Sequence, residues 1–122
     1  MQLDHETRVR LGRAFQEYRR RTTGDLSSED AALEAERATN APTLLAIAAR
    51  IRDDVTDVPV HEQWIAVGAV IGNLMAAANA LGFAGKILSG ERVRDPYVRD
   101  VVCNGDEALV GFVYLGTAED QR

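Results

Sequence analysis

The sequence predicts one mixed α/β domain layered around a central helix. Three observations carry that reading. The chain has 122 residues, enough for one domain and too few for two. Hydrophobic residues make up 46% and charged residues 27%, the balance of a globular protein rather than a disordered one. Helix and strand signals alternate in the order helix, helix, strand, long helix, strand, short helix, strand.

Each element has a local cause. Asp4 caps a helix whose apolar positions Leu11, Ala14, Phe15 and Tyr18 recur at three and four residues. Arg19-Arg20-Arg21 closes it, where positive charge suits the negative end of the helix dipole. Thr22 to Leu26, with Gly24, reads as a loop. Ser27 or Ser28 then caps a second, mostly polar helix to about Ala38. Pro42 stops it, because a proline disfavours helix in the residue before it. Leu44 to Ile51 is a short apolar run ahead of Arg52-Asp53-Asp54. It reads as a strand buried on both faces, with its alanines leaving a helix open.

Pro59 precedes a long apolar helix, Val60 to Leu81, and Gly82 stands where a C-terminal helix glycine belongs. Gly85 to Leu88 reads as a short strand. Asp95-Pro96 pairs an N-cap with proline at the first helical position, opening a helix to about Val102. Asn104-Gly105 is a turn pair. Ala108 to Leu115, with Val110, Phe112, Val113 and Tyr114, carries the strongest β signal in the chain.

Charge and cysteine content exclude several classes. A formal charge of -5 and a pI near 5.0 give no broad attraction to phosphate backbones or anionic lipid, so neither nucleic acid nor membrane is expected as a partner. The single cysteine, Cys103, forms no internal disulfide and no thiolate metal cage. Met1 to Glu6 is polar and the following stretch is arginine-rich, unlike a signal peptide, which makes the cytoplasm the expected compartment.

Trp64 to Phe83 contains no charged residue, and Gly68 and Gly72 are spaced as in membrane-helix packing motifs. A membrane span needs roughly 20 apolar residues, so length permits one. Asn73 and Asn79 inside the segment, its alanine-rich character and its unbiased flanks argue against that. A helix apolar all round is otherwise the buried axis of a domain or an oligomer interface. A buried axial helix at a dimer interface suits a chain this small.

Most chemical motifs fail. His5 and His61 have no metal-ligand spacing and read as ordinary surface histidines, so no metal site is expected. Cys103 reads as a small buried hydrophobe. Gly82 to Lys86 falls short of a phosphate loop, since Ala80 stands where a glycine is required and Ile87 follows the lysine.

A set of motifs in order goes further. Ala41-Pro42, Glu62-Gln63, Gly68, Ala76-Ala77-Ala78, Gly82-Phe83-x-Gly85, Ser89-Gly90, Val98-Arg99 and Gly111-Phe112-Val113-Tyr114-Leu115-Gly116-Thr117 together resemble the FMN-dependent nitroreductase family, closest to its small, compact members. The closing Gly-Phe-x-Tyr-Leu-Gly-Thr is the most specific piece. The resemblance implies an α+β fold, a mixed sheet flanked by helices with a long buried central helix. It also implies a homodimer packed through Val60 to Leu81, with two FMN molecules at the interface. Such enzymes pass a hydride from NAD(P)H to the flavin and then reduce a second substrate, such as a nitroaromatic or quinone-like acceptor, in a ping-pong cycle. By the same resemblance Ile87, Leu88, Ser89 and Gly90 lie against FMN. Ala77, Ala78, Asn79, Ala80, Leu81 and Gly82 are associated with the NAD(P) nucleotide. Gly85 and Gly90 let backbone approach a flat ring and Ser89 can hydrogen-bond it, while the same glycines also serve turns.

Departures accompany the matches. Set against the family, the chain is expected to lack the Arg-Arg-Ser-x-Arg type segment that grips the flavin phosphate and the C-terminal extension. Ile87 and Leu88 stand where close relatives carry an aromatic and a basic residue. The chain is therefore expected to be a single nitroreductase-like domain, 1–122, matching the central and C-terminal part of the family. A flavoprotein oxidoreductase is the first reading. A non-catalytic dimeric remnant without flavin is the second.

Overall fold

The computed structural model describes residues 1–55 and 57–117. α1 spans His5–Thr23, with the Asp4 carboxylate accepting from the Thr7 N–H at 2.8 Å. α2 spans Ser28–Thr39, capped by Ser27. β1 is Thr43–Ala49 and α3 is Val60–Ala80. β2 is Phe83–Leu88, followed by a 3₁₀ turn at Glu91–Arg94. α4 is Pro96–Val102, with Asp95 as its N-cap, and β3 is Ala108–Thr117.

The expected elements are present, with longer strands at two places and one additional turn. β2 starts at Phe83 rather than Gly85, because Gly82 takes φ +91° and turns the chain straight from α3 into the sheet. β3 runs on to Thr117, where it pairs with Phe83.

The sheet order is β1-β3-β2, and both outer strands pair with β3 antiparallel. The sheet expected to be mixed is thus antiparallel in every ladder among the described residues. β1 and β2 lie on either side of β3, run in the same direction as alternate strands of an antiparallel sheet do, and are joined by the α3 crossover. β1, expected to be buried on both faces, alternates instead, with Leu44, Ala46 and Ala49 buried between more exposed neighbours. One face is fully covered and the other is not.

The covered face holds the core. Leu44, Ala46, Phe112 and Tyr114 meet Leu11, Ala14 and Phe15 of α1, Ala38 of α2, and Val98 and Val102 of α4. Phe15 and Phe112 pack edge to face with ring centroids 5.8 Å apart. Arg8 is buried and donates from Nε to the Ala38 carbonyl at 2.7 Å and from Nη2 to that of Ala41, satisfying carbonyls at the end of α2. Such partners are what make a buried arginine tolerable.

On the other face α3 packs against β2. Gln63, Val67, Ile71, Leu74, Met75 and Ala78 form its inward stripe, and Ala78 alone among them is fully buried. The long helix expected to be buried is therefore exposed over most of its surface within one chain. Its sequence is apolar all round, while a three-stranded sheet is wide enough to cover one side only. Gln63 ties the start of α3 to the preceding loop, accepting from the Arg52 N–H at 2.8 Å and donating to the Arg52 and Val58 carbonyls.

Candidate functional site

Two elements remote in sequence build a groove on the helix-covered side of the sheet. α2 contributes Leu33, Glu36, Arg37 and Asn40, one face at helical spacing. β2 contributes Lys86, Ile87 and Leu88, with Tyr114 of β3 between them. The cavity measures about 420 Å³. β2 is an edge strand, so only one of its two edges is paired within the sheet.

Three cations surround a carboxylate under this groove. Glu34 has no solvent exposure, and Arg92 donates to its Oε1 at 2.5 Å. The Arg37 Nε donates to Oε2 at 3.2 Å, and Arg19 stands 3.6 Å from the same oxygen. The Arg92 guanidinium also lies over the rings of Phe15 and Tyr18, at 5.0 and 5.5 Å from their centroids. Burial pushes the Tyr114 hydroxyl above its ordinary pKa, against the opposing charges of Arg92, Arg37 and Arg8. Lys86 places its ammonium 5.6 Å from the Tyr114 ring centroid.

The residues expected at the flavin divide. Leu88 faces the groove from β2, beside Phe112, whereas Ile87 borders it with its side chain on the α3 face of the strand, beside Val113 and Gly111. Ser89 and Gly90 follow at its exit, exposed. Gly85 has a packing role in the structure. A Cβ there would sit 2.8 Å from Leu115 Cδ2 and 3.3 Å from both Met75 Cε and the Tyr114 carbonyl. Nothing lies within 4 Å of one at Gly90.

The residues expected at the nicotinamide nucleotide, Ala77 to Gly82, form the last turn of α3 and its exit, with Ala78 buried and the others exposed. β2 separates them from Ser89 and Gly90 by about 17 Å of extended chain. None of Ala77 to Gly82 lines the groove described above. Sequence reasoning did not find the α2 wall or the Glu34 cluster, since a polar amphipathic helix carries no signal of which polar residues face inward.

Burial pushes the Cys103 thiol above its ordinary pKa, as suits an inert core cysteine. Among the described residues no three His, Cys, Asp or Glu side chains are grouped to hold a metal. α3 is long and apolar enough to cross a bilayer by length and composition, and 6% of its most apolar window is buried in this chain.

A three-stranded antiparallel sheet with helices on one face and a long crossover helix on the other is an α+β architecture of nitroreductase type. The crystal structure of a nitroreductase-like family protein from Bacillus cereus superposes on it with a TM-score of 0.72 at 18% identity. That match covers 96% of this chain and 60% of that one. The sequence model of the nitroreductase family matches residues 3–117, and the chain belongs to that family. A curated relative from Escherichia coli K12, named "Putative NAD(P)H nitroreductase YdjA", is 33% identical over 95 residues, 75% of this chain and 51% of the relative. One from Haemophilus influenzae, named "Putative NAD(P)H nitroreductase", is 28% identical over 98 residues, 80% and 53% of the two chains. The chain thus spans about half the length of the curated relatives it matches.

Proposed function

We propose that this chain is part of an FMN-dependent NAD(P)H oxidoreductase of the nitroreductase type, acting on a nitroaromatic or quinone-like acceptor. The observation that carries this reading is the groove at Ile87 and Leu88, on the segment that the family resemblance assigns to flavin. Its volume, about 420 Å³, suits a cofactor-sized ligand. Leu33 and Leu88 offer apolar surface to a flat ring, and the Ser89 hydroxyl, just beyond β2, offers a hydrogen bond. Flavin, when bound, supplies the redox chemistry, and these residues bind and orient it.

The reading includes a homodimer through Val60 to Leu81. α3 exposes Trp64, Ile65 and Val70, and Leu81 and Phe83 follow at its end, a concentration of apolar surface that soluble monomers rarely carry. A second copy would also supply another α3 end and another groove, so that nucleotide and flavin segments from different subunits could meet.

Purified protein mixed with FMN and freed of excess by gel filtration tests the proposal. Retained yellow absorbance and flavin-dependent NAD(P)H oxidation with a nitroaromatic acceptor are expected. A colourless protein that is still dimeric would favour the second reading, a non-catalytic remnant of the fold. The observation behind that reading is that Ile87 and Leu88 present neither an aromatic ring nor a charge to the groove.

A further inference from the structure

We infer that Tyr114 is a ligand-binding residue. Its hydroxyl, at the floor of the groove between α2 and β2, donates a hydrogen bond to a carbonyl oxygen on the edge of a flat fused ring, an isoalloxazine or a quinone. For a flavin this deepens, and rests on, the reading above. For a quinone it needs no flavin in the groove.

Among the residues that line the groove Tyr114 alone is buried, with 5% exposure. Its hydroxyl makes no hydrogen bond among the described residues. Folded proteins rarely leave such a group without a partner. No fully enclosed side-chain oxygen or nitrogen among the described residues lacks one, so this oxygen is not sealed in the core. It is reached from the groove that Tyr114 lines.

The ring that carries the hydroxyl is held in place. Tyr114 stands in β3 between Leu44 of β1 and Lys86 of β2, and the Lys86 ammonium lies 5.6 Å from the ring centroid. A tyrosine on a central strand, with only two side-chain torsions, loses little freedom when it engages a ligand.

The neighbours of the hydroxyl decide what it can recognise. Burial holds its pKa above the ordinary value, so at neutral pH it is a proton donor. Arg92, Arg37 and Arg8 act on it as positive charges and outnumber Glu34, which favours an electron-rich oxygen at that end of a ligand. Two of those arginines are committed elsewhere, Arg8 to the Ala38 and Ala41 carbonyls and Arg92 to Glu34. The buried floor therefore offers one neutral donor. A carbonyl oxygen matches it, whereas a carboxylate seated there would bury charge without full compensation. Leu33 of α2 and Leu88 of β2 supply apolar walls, and about 420 Å³ has room for a fused ring.

Titrations of the whole chain and of Tyr114→Phe test the assignment, with FMN followed by fluorescence quenching and menadione by calorimetry. The variant removes one oxygen that carries no internal bond, so its urea midpoint is expected to match or exceed that of the parent. Affinity for at least one probe falls about three- to tenfold, the usual worth of one hydrogen bond. Methylnaphthalene, which has the shape of menadione without its carbonyls, binds parent and variant alike. A loss for FMN, with a shifted visible absorption band, names the flavin ring as the occupant. A loss for menadione alone names the acceptor.

Should Tyr114→Phe not fold, Leu33→Trp at an exposed side chain crowds the same groove and weakens the same probe by a like factor. Unchanged affinity there overturns the proposal. FMN held equally by parent and Tyr114→Phe, with no difference for menadione, overturns the hydroxyl contact and leaves the flavin reading intact. Failure to hold FMN, with a menadione affinity that depends on Tyr114, does the reverse. Binding of neither probe, or an equal loss for methylnaphthalene, also overturns the proposal.

Discussion

Arg21 and Asp95, 74 positions apart, meet in two parallel hydrogen bonds of 2.7 and 3.0 Å that join the end of α1 to the start of α4. The same carboxylate accepts from the Val98 N–H at 3.2 Å, so one side chain caps a helix and locks two elements together. The Arg21 guanidinium also covers the Tyr97 ring at 4.8 Å.

Asp95→Ala is expected to destabilise the protein by about 1–2 kcal/mol, the usual loss for an N-cap, measured by urea unfolding at pH 7. The hydrogen bonds from Arg21 hold the Asp95 carboxyl below its ordinary pKa. A depressed folded pKa means its stabilisation is complete above the ordinary carboxylate value, near 4, and is lost as pH falls through the folded value. Asp95→Asn therefore narrows the stability gap to the parent as pH is lowered below about 4. A gap constant across that range would show that the ion pair contributes nothing.

Glu34→Ala leaves Arg92, Arg37 and Arg19 facing one another without their shared carboxylate. Removing one partner of a buried ionic cluster costs about 3 kcal/mol or more. Denaturant midpoints would register this loss, with Glu34→Gln falling between the two because it keeps one acceptor oxygen.

Gly85→Ala forces a methyl group to within 2.8 Å of Leu115 Cδ2 and 3.3 Å of the Tyr114 carbonyl. Overpacking of this kind costs about 1–3 kcal/mol. Gly90→Ala enters open space at a φ of -74° and is expected to stay within about 0.5 kcal/mol of the parent. Thermal melts of the two variants, measured side by side, separate the packing role from a general intolerance of this segment.

Ile65 and Val70 are 67% and 61% exposed on α3, so charge placed there stays largely in solvent within one chain. Under the proposed pairing, Ile65→Asp with Val70→Arg on separate chains each shift the sedimentation profile from dimer to monomer. Unchanged dimer in both would place the interface elsewhere.

The helix ends were legible because their causes are local. Asp4, Ser27 and Asp95-Pro96 each mark a start within three residues of the backbone group they satisfy. The order of strands along the chain was legible for the same reason. Which edges pair was not, because Thr43 with Leu115 and Phe83 with Thr117 are contacts that no local period encodes. The same limit hid the Glu34 cluster, where Arg92 lies 58 positions away. Of the groove, the β2 wall followed from the family motif. The α2 wall did not, since Leu33 and Arg37 look like any exposed helical pair.

If two copies pair through it, the bare flank of α3 ties folding to concentration. Under the proposed pairing, the second copy binds the native chain and not the unfolded one, so mass action makes the melting temperature climb with protein concentration. Dilution alone would then unfold what no denaturant has touched, and single-chain stability would be a limit approached rather than a property measured at the bench.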